Sequence, residues 1–234
     1  MFEKVFYFFW VSVKSSPFLY RLFLCLMGRY QKGFFPNGTH ELHLAGYQRS
    51  GNTFSERLVR AVAPDISIAT HVHTAATLRL ALKHEIPVVC LIRHPDEAVA
   101  SSYVMNESQG KSRFFARASL YEYVAYYEFV LRHRDVFRVC VFEQFISDPK
   151  ALVRAVLSAV GFDIPQDVDP LVKEVIYDLQ KDDCDGQKLS PLASNWKNEA
   201  KESQKSAAIS SLREHPLYPR ALELYSLLSK GSPG

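Results

Sequence analysis

An α/β domain with a central parallel sheet flanked by helices is what this sequence predicts, and three observations carry that reading. Short apolar runs alternate with helically spaced stretches from residue 41 onward. The run Pro87–Arg93 is apolar almost throughout, as a strand buried on both faces requires. Between the first such run and the first helix, Gly46 to Thr53 reads G-x-x-x-x-G-x-T. That is the outline of a loop whose backbone N–H groups wrap an anion at a helix N-terminus.

Each element follows from local pattern. Glu41–Tyr47 reads as the first strand, and Phe54, Leu58, Val59 and Val62 recur at helical spacing over Thr53–Ala63. Ile66–Thr70 reads as a second, short strand that runs into His71-Val72-His73. Thr74 is suited to cap a helix to about His84. After the strand at Pro87–Arg93, Pro95 fits a first helical turn and Asp96 and Glu97 suit its positive end, predicting a helix to about Asn106. A polar break over 110–113 precedes a tyrosine-rich helix over 114–134, whose aromatic stripe reads as core packing. Phe137–Glu143 predicts another strand, and Asp148-Pro149 opens a helix that Gly161 stops. Residues 168–181 read as helix, 181–195 as a polar loop, and helices follow to about Ser229.

The chain divides at about residue 40. Residues 1–40 form an aromatic helical segment, and residues 41–234 the domain that carries the loop. Lys14, Pro17 and Arg21 interrupt the apolar stretch 5–27, so it is too broken for the roughly 20 apolar residues of a membrane span. It reads as helix packed on the core or as an interfacial aromatic anchor in peripheral contact with a membrane. The four cysteines form no C-x-x-C pair, which points to a reducing, cytoplasmic setting rather than a disulfide or zinc framework. With 47% apolar residues the chain has ample core, and a net charge of +3 suits an anionic ligand but is too mild to argue for nucleic acid.

The loop departs from that of an ATPase at one position. Where a lysine would reach the outer phosphates of ATP stands Asn52, and the cation comes earlier, at Arg49. Tyr47-Gln48-Arg49-Ser50-Gly51-Asn52-Thr53-Phe54 resembles the 5′-phosphosulfate loop of sulfotransferases that use 3′-phosphoadenosine 5′-phosphosulfate (PAPS). Arg93-His94-Pro95, with Ser101 eight residues after the arginine, resembles that family's 3′-phosphate motif. Phe142-Glu143-Gln144-Phe145 with Asp148-Pro149 resembles its Y-E-D-L…D-P stretch, and Asn195-Trp196-Lys197-Asn198 more weakly its G-D-W-K-N stretch. Gln48 replaces the usual proline and Phe142 the usual tyrosine. The basic-basic-glycine cluster common before the last motif is missing, which leaves Lys188 and Lys197 as candidates to complete the 3′-phosphate site.

The resemblance implies a P-loop nucleotide-kinase-like sheet and a sulfuryl transfer from PAPS to a hydroxyl or amine, with no metal required. It implies cofactor contacts from Gln48, Arg49, Ser50, Gly51, Asn52, Thr53 and Phe54, from Arg93 and Ser101, and from Lys188, Trp196 and Lys197. Arg49 would receive the charge that grows on the 5′-phosphate. Phe54 would stack the adenine, although its helical spacing fits a core aromatic equally well. The acceptor must lose a proton, and histidine is the side chain best matched to neutral pH. His71, directly after Thr70, stands in the family-like context for that base, with His73 the alternative. The acceptor itself is open among carbohydrate, lipid and small alcohol. Two rival readings remain, a nucleotide-dependent phosphotransferase and a non-catalytic nucleotide- or glycan-binding protein of the same fold.

Overall fold

Four parallel strands form one sheet in the order β2-β1-β3-β4. They are β1 (Leu42–Gly46), β2 (Ile68–Ala69), β3 (Val88–Ile92) and β4 (Phe137–Val141). The structure is a computed structural model that describes residues 2–30, 35–108, 113–163, 167–184 and 199–230. Its helices are α1 (Phe2–Ser15), α2 (Pro17–Leu26), α3 (Asn52–Val62), α4 (Ala75–Lys83), α5 (Pro95–Ser108), α6 (Arg113–Arg132), α7 (Phe142–Ser147), α8 (Pro149–Val160), α9 (Asp169–Cys184), α10 (Glu199–Arg213) and α11 (Tyr218–Ser229).

The strand pattern places a core on each face of the sheet. Val88, Cys90 and Ile92 of β3 join one buried cluster with residues of α4, α5, α6 and α11, while Val89 and Leu91 join another with residues of α3 and α8. This alternation is the two-residue period of a strand covered on both sides. β2 is shorter than the apolar run Ile66–Thr70 predicts, because it is an edge strand that pairs with β1 alone. Strand β4 ends at Val141, two residues earlier than expected, and Phe142 begins the short helix α7 instead. Phe145 of α7 is buried in the second cluster, and that packing turns the chain. Helix α8 shows the expected punctuation: the Asp148 carboxylate accepts from Lys150 N–H, and Gly161 ends the helix at φ +74°.

The N-terminal segment is a pair of helices laid against the domain. On α1, the Tyr7 ring stacks on Tyr121 of α6 at 4.5 Å, Trp10 Nε1 donates to Glu122 at 2.5 Å, and Lys14 pairs with the same carboxylate at 2.7 Å. Helix α2 packs on α1 and α4 yet contains no fully buried residue. Among the described residues no helix is long and apolar enough to cross a membrane.

Candidate functional site

The strand order creates a topological switch. From β1 the chain moves through α3 to β2 on one side, then returns past β1 to β3 on the other. In open parallel sheets the crevice at such a switch, at the strand C-terminal ends, is where ligands bind. The loop 47–51 leaves the end of β1 there, and Arg93 immediately follows the end of β3.

The loop is held by its own sequence. Asn52 is buried and its Nδ2 donates to the Tyr47 carbonyl at 3.0 Å, closing the turn. A Cβ on Gly46 would lie 2.8 Å from Asn52 Oδ1, so a side chain there would force the two apart. Gly51 caps α3 at φ +91°, and a Cβ there would lie 2.7 Å from the Phe142 ring. Both the left-handed backbone and the close approach demand glycine. Arg49 holds the same left-handed region at φ +68° without being glycine, a conformation that persists only where its surroundings enforce it.

Those surroundings are specific. Arg49 Nε donates to Ser101 Oγ at 2.8 Å, and Arg93 Nη1 donates to the Arg49 carbonyl at 3.0 Å. The Arg93 guanidinium lies 4.2 Å from the centre of the Phe142 ring, a cation–π contact, and its Nη2 pairs with Glu97 at 2.9 Å. Among the described residues its buried Nε meets no hydrogen-bond partner. Burial lowers the Arg93 pKa below its usual value, against the opposing effect of Glu97 and Glu143. From α10, Lys205 Nζ reaches the same Glu97 carboxylate at 2.8 Å. A half-exposed carboxylate thus sits between two cations at the head of α5. Helix α10 is tied there by Arg213, which pairs with Asp96 at 2.6 Å, and the Tyr218 hydroxyl at the start of α11 donates to the other Asp96 oxygen at 2.7 Å.

The tyrosines of α6 are core residues, as their stripe predicts, and they also brace the site. The buried Tyr127 hydroxyl donates to Leu91 O at 2.8 Å, accepts from Tyr47 N–H at 3.3 Å, and lies 3.3 Å from Ser50 Oγ. The Tyr123 hydroxyl donates to Arg93 O at 2.8 Å. Ser50 is therefore buried behind the loop rather than open at its mouth. Thr53 is partly buried in the first turn of α3, and Gln48 Nε2 reaches the Tyr47 hydroxyl at 3.4 Å. Phe54 is partly buried, stacks on Phe145 with centroids 6.3 Å apart and packs against the core.

The histidines after β2 differ in environment. His71 has φ +67° and its Nε2 contacts a Glu56 carboxylate oxygen on α3. Burial pushes the Glu56 pKa up, but the His71 and Arg60 contacts outweigh it and hold it below the usual value. A carboxylate can only accept here, so Nε2–H donates to Glu56, and in the neutral ring that tautomer carries its lone pair on Nδ1. His73 Nδ1 lies 2.8 Å from the Gly46 carbonyl and donates to it. Burial lowers the His73 pKa to about 4, so the ring is neutral and weakly basic. Both rings line a cavity of about 220 Å³ with Gln48 of the loop, Lys14 of α1, and Tyr20 and Leu24 of α2. A larger cavity of about 430 Å³ opens at the opposite end of the sheet, around Pro87, Arg134 and Ser158, far from these groups.

Lys188, Trp196 and Lys197 lie outside the described residues. Among the described residues no group of three or more His, Cys, Asp or Glu gathers as a metal site would. Glu56 and Lys205 were not singled out by the sequence, and Glu143 stood only within a motif, with no role assigned. Glu143 accepts from His94 N–H at 3.2 Å and from the Tyr225 hydroxyl at 3.0 Å, joining α7 to the segment after β3. Set against known proteins, the chain matches no family model and no curated protein.

Proposed function

We propose that this protein is a PAPS-dependent sulfotransferase with a P-loop nucleotide-kinase-like sheet. The convergence of Arg49 and Arg93 at the switch between β1 and β3 supports this most directly, with Arg93 holding the Arg49 carbonyl at 3.0 Å. Two motifs 44 residues apart in sequence are thereby joined by a hydrogen bond beside the glycine loop. A phosphotransferase using ATP is disfavoured, because Asn52 replaces the expected lysine and its amide is committed to the loop backbone.

In this reading the 5′-phosphosulfate lies along residues 48–53, with Arg49 at the bridging oxygen. The 3′-phosphate lies near Arg93, where it competes with Glu97 for Arg93 and Lys205. Lys205 supplies a second cation at this site from α10. The acceptor hydroxyl oxygen attacks sulfur as the bond from sulfur to the 5′-phosphate oxygen breaks. The bonding pair passes to that phosphate, where Arg49 and the loop amides stabilise it. The proton passes to Nδ1 of His71, and Glu56, which orients the ring through Nε2–H, steadies the imidazolium that forms. The products are a sulfate ester and 3′-phosphoadenosine 5′-phosphate (PAP).

Geometry favours His71 over His73 as the base. His73 uses Nδ1 to clamp the Gly46 carbonyl and, at about 4, is poorly matched to proton transfer near neutrality. The test is transfer of labelled sulfate from PAPS to a panel of hydroxylated acceptors. Turnover that disappears in Arg49→Ala supports the reading. PAP binding with no transfer to any acceptor would favour a non-catalytic binder.

A further inference from the structure

The helices α1 and α2 expose an apolar face that nothing in the described chain covers. Val5, Phe8 and Phe9 of α1 are 63%, 68% and 62% exposed, and Phe18 and Leu26 of α2 are 73% and 78% exposed. Leu19 and Leu22 extend the patch on α2, and Met27 follows at its end. Single exposed apolar residues are ordinary, whereas this many on two neighbouring short helices mark an interaction surface.

Charge selects the occupant. Residues 1–40 contain five lysines and arginines against one acidic residue, Glu3, and of the five Lys14 is paired with Glu122. A groove of about 490 Å³ between α2 and α4 has Phe18, Leu22 and Leu80 in its lining and Arg21, Arg79 and Lys83 beside them. Arg79 and Arg21 lie over the rings of Phe129 and Phe35, and Lys83 is exposed. An aromatic face set among cations complements an anionic lipid surface, while two copies meeting face to face would oppose like charges. Helices of 14 and 10 residues are shorter than the roughly 20 needed to span, so they would lie within the interface.

The same helix walls the cavity beside the candidate base. Tyr20 and Leu24 of α2 line the space that His71, His73 and Gln48 line from the domain. A helix is roughly 10 Å across, so a bilayer receiving the outer face of α2 comes within about that distance of the cavity wall.

We propose that α1 and α2 dock this protein on an anionic bilayer, and that the acceptor is the hydroxylated headgroup of an amphiphile taken from it. The docking stands on the exposed face alone, and the acceptor class rests on the sulfotransferase reading. The test floats the full chain with phosphatidylcholine vesicles with and without phosphatidylglycerol. Salt-sensitive flotation with the anionic vesicles is expected. The double variant Phe18→Ser, Leu26→Ser, altered only at exposed positions, should lose at least about tenfold in partitioning with an unchanged melting curve. Absence of flotation, or full flotation by the double variant, overturns the docking. So does a concentration-dependent dimer in sedimentation velocity that Phe18→Ser dissolves without any vesicle binding. In a second arm, sulfate transfer from PAPS is compared between a vesicle-borne glyceroglycolipid and its free sugar headgroup. A marked preference for the lipid is expected, and equal or better use of the free sugar overturns the acceptor class. If PAP does not bind at all, the sulfotransferase reading falls together with the acceptor class, and flotation still decides the docking.

Discussion

Replacing Glu97 by glutamine should tighten the binding of PAP. The Glu97 carboxylate lies 2.9 Å from Arg93 and 2.8 Å from Lys205, so a phosphate that uses these cations competes with it. The carboxylate side chain is 38% exposed, which places both pairs in the weak, solvent-screened class worth about 0.2–1 kcal/mol each. Removing the charge while keeping the shape therefore releases about 1 kcal/mol, or roughly fivefold in affinity. Arg93→Ala should act in the opposite direction. Loss of a charge-assisted bond to phosphate costs about 1.5–3 kcal/mol, or roughly 10- to 150-fold. Titration calorimetry with PAP at fixed, low ionic strength measures both, because added salt screens the cations. Unchanged or weaker binding by Glu97→Gln would refute the assignment of Arg93 and Lys205 to the 3′-phosphate.

Other expectations concern the base, the loop and pH. His71→Ala should lower kcat at least about 10²-fold with PAP affinity kept, and His73→Ala should do less. Glu56→Gln should cause a smaller loss and move the acidic limb of the pH–rate profile. Normal turnover by His71→Ala would remove it from the mechanism. Gly51→Ala places a Cβ at φ +91° against Phe142, and strain plus overpacking should cost about 2–4 kcal/mol in urea unfolding. An unchanged midpoint would show that α7 yields freely. Burial lowers His43 from 6.5 to about 4, despite its hydrogen bond to Ala69 O. As pH falls from 6.5 to about 4 the unfolded chain takes up this proton first, so stability is full above 6.5 and declines toward 4. For His43 alone the loss is about 3 kcal/mol, and His73 adds to it with the same sign. Stability that stays flat across that window would contradict the buried neutral rings.

What the sequence made legible is what local pattern encodes. β1, β3 and β4 announce themselves because strands covered on both faces are apolar nearly throughout. The loop is legible because a tight anion cradle constrains glycine spacing. Helix α7 was not, since Phe142 and Glu143 fit the continuation of the strand from Phe137 as well as a turn where the Phe142 and Phe145 rings pack over Gly51. Arg49, Arg93 and Ser101 stood out by motif, but their partnership did not: Ser101 hydrogen-bonds Arg49, while Arg93 holds the loop backbone and Glu97. Glu56, Glu143 and Lys205 act through contacts 15, 82 and 108 residues away in sequence, distances at which no periodicity speaks. The helical N-terminal segment was foreseen as either packed or interfacial. It packs on α6 through Trp10 and leaves apolar side chains exposed on its outer side, and periodicity alone does not say which side chains do which.

The most direct test of a PAPS site is the choice between nucleotides at the loop. The full chain is titrated with PAP without metal and, separately, with ATP and magnesium. Arg93→Ala serves as the control for the 3′-phosphate. The account predicts that PAP binds at least about tenfold more tightly than ATP, because only PAP carries the phosphate that Arg93 and Lys205 would hold, and that Arg93→Ala erases the difference. Equal binding of the two, or a preference for ATP with magnesium that Arg93→Ala leaves intact, would contradict it.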